Sequence, residues 1–243
     1  MLFRSGLGRS HKRTDVRQDD SSTFGENQSE VSSIEAKGEE PILVETPLDR
    51  DRQTYTNEHP ASYAVFNSIT NNAAVGDERN FVRVRELVSG TKYSDEVEVT
   101  AGHEYEVYIY FHNNASTDTN ETGYGVATAV RAASAYPVEL LPGDRGMISG
   151  ILSWSYVKPD DETVYIGKVW DEAYLTTSEP VELRYKIGSA IIHNGGDANG
   201  SYLSDDLFTN DGTYIGYNKL GGVIPGCAEY SGYISYTLVA EAK

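Results

Sequence analysis

The sequence predicts an all-β fold: a β-sandwich or jelly roll of immunoglobulin-like type, carrying an extended N-terminal arm. Three observations predict it. From Tyr63 to the end of the chain, short runs rich in Val, Ile, Tyr and Phe alternate with turns containing Gly, Asn and Asp. The 243 residues include 18 Tyr and 23 Gly against two Met, which favours pleated, half-buried strands over a helical bundle. No long segment keeps a 3.6-residue apolar period. This length suits one large β domain or two small ones and is ample for a core. No repeat of about 20–50 residues points to a solenoid or propeller.

Residues 1–57 read as the arm. Ser, Asp, Glu, Gln, Arg and Thr dominate, as in Asp19-Asp20-Ser21-Ser22-Thr23 and Glu26-Asn27-Gln28-Ser29-Glu30. Alone, such a segment buries too little apolar surface to offset its chain entropy. Pro41-Ile42-Leu43-Val44-Glu45-Thr46-Pro47 interrupts it with a β-favouring apolar run between prolines. If extended, Ile42 and Val44 share one face and Leu43 takes the other. Burying the Ile/Val pair is worth roughly 3–6 kcal/mol, so the run must find a sheet. Three readings stand: an edge strand on its own domain, a strand donated to a neighbouring subunit's sheet, or a linker. Met1-Leu2-Phe3-Arg4-Ser5 lacks the apolar stretch of an export signal. Leu2–Ser5 also matches what a sequencing-adapter end encodes, and the expectation is that the native start lies upstream.

Residues 58–243 read as the β-sandwich domain. The strands expected are 63–69, 81–87, 97–100, 105–112, 125–132, 147–156, 163–170, 181–187, 190–193, 213–217 and 232–239. Phe81-Val82-Arg83-Val84-Arg85 has the clearest period of two. Because Arg is rarely buried unpaired, Val82 and Val84 should face the core. Ala101-Gly102 supplies a turn before the long aromatic strand Tyr105–Tyr110, which Asn113-Asn114 should terminate. The final strand nearly reaches Lys243 and leaves no C-terminal tail in this chain to donate, so the donor must come from the arm.

The residues that could carry chemistry form no recognised pattern. A net charge of -17 argues against nucleic acid, whose phosphates need clustered Lys and Arg. No apolar run approaches the roughly 20 residues of a membrane helix, so no membrane insertion is expected. The single cysteine, Cys227, excludes an internal disulfide and multi-Cys metal sites. It sits beside a turn in Ile224-Pro225-Gly226-Cys227-Ala228-Glu229-Tyr230 and reads as a small buried residue. A nucleophilic cysteine would need a base, and sequence places no histidine against it. His59, His103, His112 and His193 lack zinc-protease spacing. Asp197-Ala198-Asn199-Gly200-Ser201 begins like a calcium loop, but Phe208 stands where its twelfth-position Glu belongs; the default is a solvated acidic loop. Trp154 and Trp170 read first as core or interface, with sugar stacking as the alternative. The expectation is a non-enzyme with no metal and no cofactor. Asn27, Asn114, Asn120 and Asn199 head N-x-Ser/Thr sequons and are candidate glycan sites. The run 113–122 should be an exposed loop, making Asn114 and Asn120 the best placed.

Several phrases together resemble a family of uncharacterised bacterial cell-surface proteins. They are Phe66-Asn67-Ser68-Ile69-Thr70, Gly76-Asp77-Glu78-Arg79-Asn80-Phe81-Val82, Tyr105 through Asn114, Trp170-Asp171-Glu172-Ala173-Tyr174, and Leu220 through Tyr230. The resemblance covers about residues 60–240. Arm and body together are similar to pilin-like protomers of environmental bacterial fibrils, which join by N-terminal donor strands. That resemblance implies an extracellular, cell-surface fibre subunit polymerising with copies of itself, with Ile42, Leu43 and Val44 as subunit-binding anchors and glycans as possible additions. The alternative is a monomeric adhesive or carbohydrate-binding surface module with an exposed aromatic platform.

Overall fold

The structure is a computed structural model and describes residues 42–45 and 52–243. Twelve strands, β1 to β12, run in chain order Ile42–Glu45, Val82–Glu86, Glu96–Val99, Glu104–Phe111, Thr128–Ala135, Glu139–Leu140, Gly146–Lys158, Asp161–Thr177, Val181–Tyr185, Ile191–Asn194, Thr213–Tyr214 and Gly232–Ala242. Among the described residues there is no α-helix, and three short 3₁₀ turns at Thr117–Thr119, Asp205–Phe208 and Ala228–Tyr230 complete the regular structure. The fold is all-β, as the composition and turn pattern predict.

The strands form two six-stranded sheets. The first has the order β1-β8-β7-β5-β11, with β3 also on the β1 side of β8. The second has the order β2-β4-β12-β9-β6, with β10 alongside β9 on the far side of β12. One apolar cluster lies between the two sheets, so the architecture is a β-sandwich. Alternation explains which faces meet there. Ile148, Leu152 and Trp154 on β7 and Val169, Ala173 and Leu175 on β8 turn inward from the first sheet; Val82, Val84, Val107, Ile109, Ile234 and Leu238 turn inward from the second. Val82 and Val84 are fully buried, as their alternation with arginine predicts.

Trp154 is a core residue rather than a sugar platform. It is 2% exposed, its indole Nε1 donates to the Ala64 carbonyl at 3.0 Å, and its ring lies 5.0 Å from that of Phe66. Its cross-strand partner is Gly167, where a Cβ would come within 2.3 Å of the indole. The glycine is the space the ring occupies.

Two strand expectations and one loop expectation need correction. Residues 63–69 do not form a strand, because Asn67 adopts a left-handed φ of 46°. Its amide replaces the ladder: Oδ1 accepts from the His112 N–H at 2.8 Å and Nδ2 donates to the Tyr110 carbonyl at 2.9 Å. β8 runs through Asp171-Glu172 to Thr177, well past the expected end at 170. Asp171 points inward, where the N–H groups of Phe81 and Val82 donate to its carboxylate, so an acid that reads as a strand end is satisfied inside. Residues 113–115, expected in an exposed loop, are buried. The Ala101-Gly102 turn is present, and it carries the chain between sheets, since β3 belongs to the first and β4 to the second.

Candidate functional site

Two features stand out. The first is the outer edge of β8. β1 pairs with it in parallel, Ile42 opposite Tyr165, Leu43 opposite Ile166, Val44 opposite Gly167 and Glu45 opposite Lys168. Further along the same edge, β3 pairs in parallel through Glu96–Val99 with Tyr174–Thr177. The three expected anchors thus form a strand, and it occupies an edge of its own chain's sheet. Six residues, 46–51, separate it from the body and lie outside the described residues. Arg52, within the span expected as arm, is bonded to the body: its guanidinium donates to the Asn67 carbonyl and, at 3.2 Å, to Ser68 Oγ. Tyr55 N–H follows, donating to the Ser68 carbonyl at 2.8 Å.

The second feature is a buried polar cluster at the C-terminal end of β4. Glu78 is fully buried, and its carboxylate accepts from Asn72 Nδ2 at 2.6 Å and Asn114 Nδ2 at 2.7 Å, with His112 Nδ1 at 2.7 Å. A buried carboxylate is stable only when its lone pairs are met, and this one has several polar partners. Asn114 is held at its other end, where Oδ1 accepts the Ser68 N–H at 2.5 Å. Tyr110, whose hydroxyl lies 3.3 Å from Asn72 Nδ2, has its phenol pushed well up, chiefly by burial and then by the Glu78 charge.

The cluster borders a cavity of about 190 Å³ lined by His112, Asn114, Cys227, Asn57 and Pro60 among others. His112 Nδ1 is the imidazole nitrogen that meets Glu78. Nε2 is buried without a hydrogen-bond partner, one of two such side-chain atoms among the described residues; Trp170 Nε1 is the other. Cys227 reaches the cavity on a turn that Gly226 brings close to Ala115, where a Cβ would sit 2.6 Å from the Ala115 methyl. Asn120 brackets that glycine, donating to its carbonyl and accepting its N–H, both at 2.8 Å. Cys227 N–H donates to the Asn113 carbonyl at 3.1 Å. Cys227 itself has a φ of 115°, a conformation non-glycine residues rarely adopt.

The candidate glycan sites fall in different surroundings. Asn199 is exposed, its Oδ1 accepting the Asn194 N–H. Asn120 is half-buried in its bracket, Asn114 is 1% exposed inside the cluster, and Asn27 lies outside the described residues. On the outer face of the second sheet, Tyr93, Tyr108, Tyr233 and His193 form a row of ring contacts. Tyr233 is stacked on both sides, 4.8 Å from Tyr108 and 4.5 Å from His193. Burial and Tyr233 raise the Tyr108 phenol to about 12, and burial lowers the His193 imidazole.

The chain matches no protein-family model, no curated protein and no solved structure. Among the described residues, no group of three or more His, Cys, Asp or Glu side chains is placed to hold a metal ion, and no helix is long and apolar enough to cross a membrane. Function therefore rests on the sheet edge and the polar cluster themselves.

Proposed function

We propose that the protein is the structural subunit of an extracellular pilus-like fibre, polymerising head-to-tail as each copy's Ile42–Glu45 strand pairs with the β8 edge of the next. The observation that carries this reading is the parallel pairing of an arm strand with Tyr165–Lys168. That edge accepts backbone, so the strand's source matters little to the local bonding: the chain's own arm in a monomer, a neighbour's arm in a fibre. Such a contact between unlike surfaces does not close on itself and generates filaments. A net charge of -17 keeps their exposed sides apart.

The energetics define when exchange occurs. About four ladder bonds at about 0.5–1.5 kcal/mol each give roughly 2–6 kcal/mol. A tethered strand also enjoys an effective concentration of order millimolar. Closure within one chain therefore wins in dilute solution, and fibres need crowding at a surface or added body-to-body contacts.

Negative-stain microscopy of the concentrated intact chain, beside a deletion of residues 31–48, tests the polymer. Filaments from the first and monomers from the second support it; monodisperse monomers from both, with equal melting temperatures, overturn it.

A further inference from the structure

The β8 edge holds two parallel strands, β1 and β3, and β3 shows what that edge selects. We propose that the edge reads a short pattern, with β-branched residues at alternate inward positions and an outward acid set against a cation, and that Glu45 and Lys168 fix the register of the arm strand. The inference deepens the fibre reading, on which the strand's source, the arm of a second copy, depends.

On β3, Val97 and Val99 stand opposite Leu175 and Thr177. Val99 is fully buried and Val97 packs against the core. Glu96, opposite Tyr174, is exposed, and its Oε2 accepts from the Arg145 guanidinium at 2.8 Å. That guanidinium lies 3.2 Å from the centre of the Tyr174 ring. β1 meets the same edge in the same way. Ile42 and Val44 stand opposite Tyr165 and Gly167, on the face of β8 that turns Val169 and Asp171 inward. Glu45 stands opposite Lys168. On the core side of Gly167 the indole of Trp154 takes the place of a side chain, since a Cβ there would meet it at 2.3 Å.

A strand on this edge can slip in two ways, and Glu45 opposes both. A shift of one residue turns the strand over and sets Glu45 on the inward face, beside Gly167 and its covering indole or beside Val169. Burying an unpaired carboxylate there is costly. A shift of two residues keeps the faces but moves Glu45 from Lys168 to Ile166 or Trp170, so an opposite-charge pair across adjacent strands is lost.

The competing account is that backbone pairing and apolar burial hold the strand without regard to charge. Cysteine cross-linking separates the two. Cys227 is the only cysteine, so the full chain with Cys227→Ala gives a clean background. Leu43→Cys is combined there with Ile166→Cys, its partner in the observed register, or with Val164→Cys, two residues away on the same face. Adjacent strands lie about 4.8 Å apart, within reach of a disulfide, whereas a two-residue offset separates the Cα atoms by about 8 Å, beyond it. Copper-phenanthroline oxidation is followed on non-reducing gels. The 43–166 pair should cross-link faster than the 43–164 pair by at least about tenfold. Lys168→Glu, which sets like charges opposite each other, should cut that preference about fivefold, and adding Glu45→Lys should restore it. No preference for 43–166 in the parent overturns the proposal. So does a preference that Lys168→Glu leaves unchanged, or one that Glu45→Lys fails to restore. Band size reads the strand's source separately: cross-linked ladders at high concentration support the fibre reading, and cross-linked monomers alone count against it while the register comparison still decides the proposal.

Discussion

Replacing Asp171 by Asn should make the protein more stable at neutral pH relative to acid. Asp171 lies on the inward face of β8, 5% exposed, and its Oδ2 accepts the N–H groups of Phe81 at 2.5 Å and Val82 at 2.8 Å. Burial lifts its pKa from 3.8 to about 6, against the lowering effect of those N–H groups and that of Glu172. The folded chain therefore holds a proton between these values that the unfolded chain has released. By linkage, this residue's contribution is greatest below the unfolded value and is lost as pH rises through the folded one. A difference of about two pKa units, at about 1.4 kcal/mol each, makes the loss about 3 kcal/mol. Asparagine keeps the shape and an accepting oxygen but cannot ionise. Its fixed cost or benefit cancels when the variant is compared with the parent at two pH values. Denaturant titrations at pH 3.5 and pH 7.5 should show the variant gaining about 3 kcal/mol on the parent between them, or about 6–12 °C in melting temperature for a domain this size. A difference that does not change with pH would mean that the carboxyl titrates in the fold as it does in the unfolded chain. The argument from burial would then be wrong.

Three further outcomes test other parts of the structure. Replacing both Leu43 and Val44 with proline removes whichever N–H faces β8, since adjacent residues point oppositely; hydrogen exchange should speed at Tyr165–Lys168 and filaments should be lost, and unchanged exchange there refutes the pairing. Gly167→Ala drives a methyl into the Trp154 ring and should cost about 1–3 kcal/mol by overpacking, with a shifted tryptophan emission; a neutral effect would count against the packing of Trp154 on that glycine. Expressed where Asn-linked glycans are added, the chain should carry one at exposed Asn199 and none at buried Asn114, as glycopeptide mapping would read; occupancy at Asn114 would mean that the cluster closes only after modification.

The fold was legible where one physical cue acted alone. Alternating Val and Arg at 82–85 places the two valines inward, because arginine resists burial. The cues failed where a polar side chain does the work of backbone. Asn67, Asn113 and Asn114 read as turn and loop residues because Asn terminates strands, yet here their amides supply the hydrogen bonds a ladder would have made, so the segments around them are buried without being strands. Asp171 misled in the same way. The polar cluster was hidden for a further reason: Glu78, His112 and Cys227 come from three segments far apart in sequence, and spacing carries no information about contacts made between segments. A signal existed nonetheless. His112-Asn113-Asn114 follows directly on the buried strand Tyr105–Phe111 with no intervening turn residue, and polar groups set so close to a core need partners inside it.

Arg52 links the two features and limits how a fibre can be built. Its guanidinium is bonded to the Asn67 carbonyl and Ser68 Oγ, and Ser68 N–H in turn holds Asn114 in the cluster. Arg52 is therefore held to the body, and the chain from Glu45 to Arg52 sets how far an exchanged β1 can reach. From Glu45 to Arg52 there are seven Cα–Cα steps, which at about 3.3–3.6 Å each reach no more than about 25 Å. A neighbour's β8 edge must lie within that distance of Arg52, so an exchanged fibre has bodies in close succession rather than beads on a long string. In the proposed fibre, body-to-body contacts would have to supply what the short strand lacks against closure on its own chain. Bonded in this way, Arg52 should hold Ser68, and through it Asn114, in place when β1 is displaced.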